Sequence, residues 1–240
     1  MPHFVDGDVR IYYEESGSGF PVLLIAPGGM KSAIPVWGNA PWHPVEHLAG
    51  EFRVIAMDQR NAGQSTAPVA RGDSWHVYTA DQLGLMDHLG VDRFHVAGMC
   101  IGGAYAMSLI QAAPERIASA VLFQPIGFSD NRDAFFDMFD GWAGELKQVR
   151  DDVADADLAR FRETMYGGDF VFSVSRDFAA GVDTPLLVLL GNDLYHPSSI
   201  SREVAALARN GELIERWKEP EDRPAARARV LEFLREHQHG

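Results

Sequence analysis

The chain carries one cysteine, Cys100, and its setting makes it the first residue to weigh as a nucleophile. It lies in Gly98-Met99-Cys100-Ile101-Gly102-Gly103, between an apolar, β-rich run that starts at Phe94 and a helix-compatible segment (104–112) that stops before Pro114. A strand that turns sharply into a helix forces its central residue into a strained backbone, so the positions two before and two after must lack bulk. Gly98 and Gly102 meet that demand. A thiol at such a turn faces the N-terminus of the following helix, which favours its anion. An ordinary thiol pKa of about 8.5 leaves only a few per cent as thiolate near neutrality, so nucleophilic work needs a partner. With one, acyl transfer through a thioester is the natural reaction. Two plainer readings compete. Glycine-rich strand-to-helix turns also cradle phosphates in dinucleotide folds, and a free cysteine is often simply a small buried residue.

The rest of the chain must position that turn. Val9-Arg10-Ile11-Tyr12-Tyr13-Glu14 alternates and is broken by Ser16-Gly17-Ser18-Gly19, the pattern of an early antiparallel strand. Continuous apolar runs at 21–26, 53–57, 94–98, 118–123 and 185–190 suit strands buried on both faces of a parallel sheet, and 212–217 reads as the last strand. Helical spacing covers 79–89 with Gly90 as a stop, 200–208 with Ser198 or Ser199 as a cap, and 225–237. Strands and helices alternating from Pro21 onward predict an α/β fold with a mostly parallel sheet flanked by helices. From Asp130 to about Gly181 the alternation gives way to helix-like sequence rich in Phe, Met and Asp, broken at Gly141 and Gly167-Gly168.

The Gly-x-Cys-x-Gly turn resembles the nucleophile elbow of the α/β-hydrolase family, with Cys in place of the usual Ser. Pro27-Gly28-Gly29-Met30 matches the loop that supplies half of that family's oxyanion hole, with Pro27 where His is usual. Asp58-Gln59-Arg60-Asn61-Ala62-Gly63-Gln64-Ser65 is similar to the family's Asp-x-Arg-Gly-x-Gly-x-Ser loop. Asn61 replaces the first glycine, and Asn is the best non-glycine residue where φ is positive. The charges of that loop read as structural. Asp193, just past an apolar run and four residues before Pro197, matches the family's catalytic-acid loop. One piece is missing: Trp217 is followed by Lys218-Glu219-Pro220-Glu221-Asp222, with no histidine where the family carries its own.

The resemblance implies an α/β-hydrolase core over 1–129 and 182–240 and a small helical cap over 130–181. It implies Cys100 as nucleophile, the backbone N–H groups of Ile101 and of Gly29 or Met30 as oxyanion donors, and Asp193 as the acid. His196, three residues after Asp193, sits where related hydrolases face their substrate and is the first candidate base; closing the turn at 195–197 is its competing role. His43, with Trp37 and Trp42 in the aromatic stretch 32–48, and His76 beside Trp75 are alternative bases or pocket residues. His88 and His95 read as structural, and His237 and His239 as a solvated tail. The expected reaction is cofactor-independent hydrolysis of an ester, lactone or thioester, the lactone being suggested by dienelactone-type hydrolases, which also use Cys. A ligand-binding protein that lost turnover, or a lyase or acyltransferase, is the alternative.

Composition narrows the partners. With 34 acidic and 21 basic residues, a net charge of −13 disfavours nucleic acid or an anionic membrane, leaving a small-molecule substrate. No pair of histidines has the short spacing of a zinc site, so no metal is expected. The single cysteine suits a reducing compartment, and the first residues have neither a basic start nor an apolar core, so a cytoplasmic location is expected.

Overall fold

The computed structural model describes residues 2–238. Its strands are β1 (His3–Asp6), β2 (Val9–Ser16), β3 (Phe20–Ile25), β4 (Phe52–Met57), β5 (Phe94–Met99), β6 (Ile117–Phe123), β7 (Leu186–Leu189) and β8 (Gly211–Ile214). They form one sheet in the order β1-β2-β4-β3-β5-β6-β7-β8. β1 and β2 are antiparallel, as are β2 and β4, while every later pairing is parallel. The α/β architecture read from the sequence is thus the one observed. β1 escaped the sequence reading because four residues are too few to show a period.

Continuous apolar strands are explained by two covered faces. Along β3, Val22 and Leu24 point into one core and Leu23 and Ile25 into the other; β6 divides Val121 and Phe123 from Ala120 and Leu122 in the same way. Side chains alternate with period two, so both faces need apolar residues when both are buried. One face is covered by α1 (Pro44–Leu48) and α8 (Arg223–Glu236), with Trp37, Trp42 and Trp217 packed beneath them. The other is covered by α2 (Trp75–His88), α3 (Ile101–Ala112) and α7 (Ser198–Leu207). α7 is not capped by either serine: Ser198 already opens the helix, Pro197 holds the cap position, and no side chain bonds there.

Between β6 and β7 lie three helices, α4 (Arg132–Val149), α5 (Asp155–Tyr166) and α6 (Arg176–Ala180). They are pinned to the rest through Trp75 Nε1 donating to the Met165 carbonyl at 3.0 Å and Ser173 Oγ donating to the Ala104 carbonyl at 2.7 Å. The loop at 58–65 is structural, as its sequence suggests. Arg60 makes a two-pronged pair with Asp81 at 2.7 and 2.8 Å, Asp58 accepts the N–H groups of Ile34 and Gln64, and Asn61 takes φ 56°.

Candidate active site

Cys100 follows β5 directly and precedes α3, with φ 61° and ψ −117°. Such a conformation costs a non-glycine residue about 1–3 kcal/mol and survives only where its surroundings enforce it. They do so here. Cys100 donates its N–H to the Phe123 carbonyl, and its carbonyl accepts from Gly103 and Ile126. A Cβ at Gly98 would lie 2.2 Å from the Gly102 oxygen, and one at Gly102 would lie 2.6 Å from the Ile25 oxygen. The glycine spacing that marked the turn is therefore a requirement of close backbone approach.

The second part of the site comes from the loop after β7. Asp193 Oδ1 accepts the N–H groups of Tyr195 and His196 and stands 2.7 Å from His196 Nδ1. A carboxylate that bonds backbone two and three residues ahead folds the loop over itself and points the imidazole inward. Gly191 lets this happen, because a Cβ there would lie 2.4 Å from the His196 carbonyl oxygen. Ser201 Oγ accepts the Gly191 N–H, and Asn131 at the start of α4 donates to the Leu194 carbonyl. His196 Nε2 is buried with no hydrogen-bond partner and lines the same cavity as the Cys100 thiol, which pulls the imidazole pKa upward.

The three side chains set one another's charge. Burial pushes the Cys100 thiol up, but the His196 imidazole and the N–H groups of Gly28 and Ile101 outweigh it and hold the thiol below its ordinary pKa. Burial pushes His196 down, but Cys100 and Asp193 outweigh it and hold the imidazole above its ordinary value. Asp193 is held below the usual carboxylate range by His196 and the two N–H groups, against its own partial burial. All three shifts run toward the charged form of their group.

These groups open into a cavity of about 240 Å³. Gly28, Gly29, Ile101 and Ile126 line it, together with Phe135 and Met138 of α4, Tyr166 of α5 and Tyr195. Of the predicted site residues, Cys100, Ile101, Gly29 and His196 line this cavity, and Asp193 stands behind His196. Met30 does not: it is buried in the short turn after Gly28, where its sulfur accepts from the Tyr166 hydroxyl at 3.5 Å. Gly28, one residue before the expected pair, lines the cavity as well, and its N–H helps to lower the thiol pKa.

The aromatic stretch 32–48 lies elsewhere than the sequence suggests. Trp37 and Trp42 pack edge-on against Phe123 in the core on the opposite face of the sheet, so they do not shape the cavity, and His43 lies with them at the start of α1. His76 is exposed on α2, away from the cavity. His95 is buried and structural, as expected, with Nδ1 2.8 Å from Ser119 Oγ. His239 lies outside the described residues. In the loop after β8, the region without the family histidine, Lys218 Nζ donates to Asn192 Oδ1 at 2.5 Å, and burial holds its ammonium below the ordinary pKa against the pull of Asp193. Tyr166 and Ile126 were missed, and no local signal marks them. Among the described residues, no cluster of His, Cys, Asp or Glu could hold a metal ion, and no helix is long and apolar enough to cross a membrane.

Known proteins share this fold. The family described as alpha/beta hydrolase fold matches residues 21–184. A protein of Azorhizobium caulinodans named as a candidate carbamate hydrolase, RutD, is 37% identical over 123 residues, 51% of this chain and 43% of that one. The 2-hydroxymuconate semialdehyde hydrolase of Pseudomonas sp. strain CF600 is 31% identical over 122 residues, 50% of this chain and 42% of its own. The matched segment thus spans less than half the length of either relative. Among solved structures, the enol-lactonase of Burkholderia xenovorans LB400 superposes with a TM-score of 0.68 at 22% identity, covering 98% of this chain and all of that one, a likeness of fold. With an elbow, a loop-borne acid and a family match over most of its length, the chain belongs to the α/β-hydrolase fold family.

Proposed function

We propose that the protein hydrolyses a carboxylic ester, lactone or thioester through an acyl-enzyme on Cys100. The observation that carries this reading is that Cys100 and His196 line one cavity together with Gly28 and Ile101, with Asp193 2.7 Å behind the imidazole. In the first step Cys100 Sγ attacks the carbonyl carbon, its proton resting on His196 Nε2, and the carbonyl oxygen takes the negative charge beside those two N–H groups. Collapse expels the leaving group, which takes the proton from Nε2. Water then gives a proton to Nε2 as it attacks the thioester, and Sγ departs as the thiolate. Asp193 keeps Nδ1 protonated so that Nε2 is the atom facing sulfur.

The insert 130–181 acts in this reading as a cap, since Phe135, Met138 and Tyr166 roof the cavity. A lactone substrate draws support from the enol-lactonase of the same fold. The ligand-binding alternative rests on the missing last-loop histidine; an imidazole that shares the cavity with the thiol and is oriented by Asp193 supports the enzyme reading instead. The test is mass spectrometry after mixing with p-nitrophenyl acetate: an acetyl adduct on Cys100 that is released with time is expected. No adduct and no turnover with esters, lactones and thioesters would refute the proposal.

A further inference from the structure

The walls of the cavity restrict what an acyl-enzyme on Cys100 can carry, an argument that rests on the acyl-transfer reading above. No lysine or arginine lines the cavity. Arg132, at the start of α4, donates to the Gly168 carbonyl and stacks on Phe128; Lys218 is engaged with Asn192. Lys31 pairs with Glu145 at the surface. Among the described residues, the basic side chain that lines the cavity is His196, and its Nδ1 is held by the Asp193 carboxylate. A carboxylate on the acyl chain would therefore enter an apolar chamber with no counter-charge, in a molecule that already carries −13.

Size restricts it further. A volume of about 240 Å³ lies below the roughly 300–1,000 Å³ of ordinary small-molecule pockets, which favours a short acyl group. The walls differ in how firmly they are held. Phe135 is stacked on Tyr166 and meets Phe172 and Tyr195 edge-on, so it is fixed from three sides. Met138 is only partly buried, and its sulfur closes on Gly29 so tightly that a Cβ there would lie 2.4 Å away. An unbranched thioether at a cavity edge is the wall that sets length, and the one most easily moved.

We infer that the site selects short, uncharged acyl groups, with Met138 fixing the upper length. The test compares kcat/KM for p-nitrophenyl acetate, butyrate, pentanoate and octanoate, and for the p-nitrophenyl hemiester of succinate, an anionic counterpart of pentanoate. Butyrate is expected to exceed octanoate by about tenfold, and pentanoate to exceed the hemiester by about a hundredfold, as befits an unpaired buried charge. Met138→Ala should shift the optimum toward octanoate. Met138→Arg, at a partly exposed helix position, should raise the hemiester relative to pentanoate by about tenfold. A hemiester as good as pentanoate, or a length profile unchanged by Met138→Ala, would overturn the inference. If either occurs while Cys100 still acylates, the selectivity argument fails and the acyl-transfer reading stands. If no ester acylates Cys100, both fall.

Discussion

His95 and His196 are the same side chain in two buried places, 0% and 9% exposed, and each has its Nδ1 within hydrogen-bond distance of an oxygen. Their chemistry is opposite. His95 meets the hydroxyl of Ser119 between the rings of Phe20 and Phe52, and burial, with the nearby charges of His237 and Arg93, pushes its pKa down to about 3. His196 meets the carboxylate of Asp193 and the thiol of Cys100, and its pKa rises despite burial. Burial alone produces a neutral, structural imidazole. A base requires that the same burial be opposed by an anion on each side.

That contrast can be broken at several points. The largest effect is expected for Cys100→Ala, which should leave no acyl adduct and lower turnover by at least about a thousandfold. His196→Ala removes the base and should cost about 10²- to 10⁴-fold in kcat, with the acyl-enzyme accumulating if its hydrolysis suffers more than its formation. Asp193→Asn keeps a loop-closing acceptor but not the charge. The His196 pKa should fall and the rate with it, about tenfold per unit. The control is His95→Leu, which strands the Ser119 hydroxyl: stability should fall by about 1–3 kcal/mol in a denaturant titration, while the pH dependence of Cys100 reactivity stays unchanged. Lys218→Met, at the partly exposed position beside Asp193, should change kcat by no more than about threefold, an effect that fades with salt.

Much of the site was legible because it depends on local backbone demands. Gly98 and Gly102 announce a turn that permits no Cβ at either place, and Asn61 marks a positive φ, so short-range sterics reveal both loops. His196 could be found for the same reason: it lies three residues from the carboxylate that orients it. What escaped was set by distant packing. Tyr166 reaches the cavity from the end of α5, 66 positions after Cys100, and nothing near it distinguishes a wall residue from a core aromatic. Trp37 and Trp42 show the converse. Their clustering suggests pocket residues, but the period-two alternation of β6 puts Phe123 on the opposite face of the sheet, and the tryptophans follow it there. The choice among Gly28, Gly29 and Met30 was equally closed to sequence, since it turns on where a three-residue helical turn begins.

The central claim is that His196 holds the proton of Cys100. It is tested most directly by the rate of Cys100 alkylation with iodoacetamide as a function of pH, in the native protein and in His196→Ala. The thiol is held below its ordinary pKa by His196, so the native rate should rise through a midpoint below the usual value of about 8.5. Removing the imidazole leaves burial as the largest influence, so the midpoint should move upward in the variant. Identical midpoints in the two proteins would contradict the account.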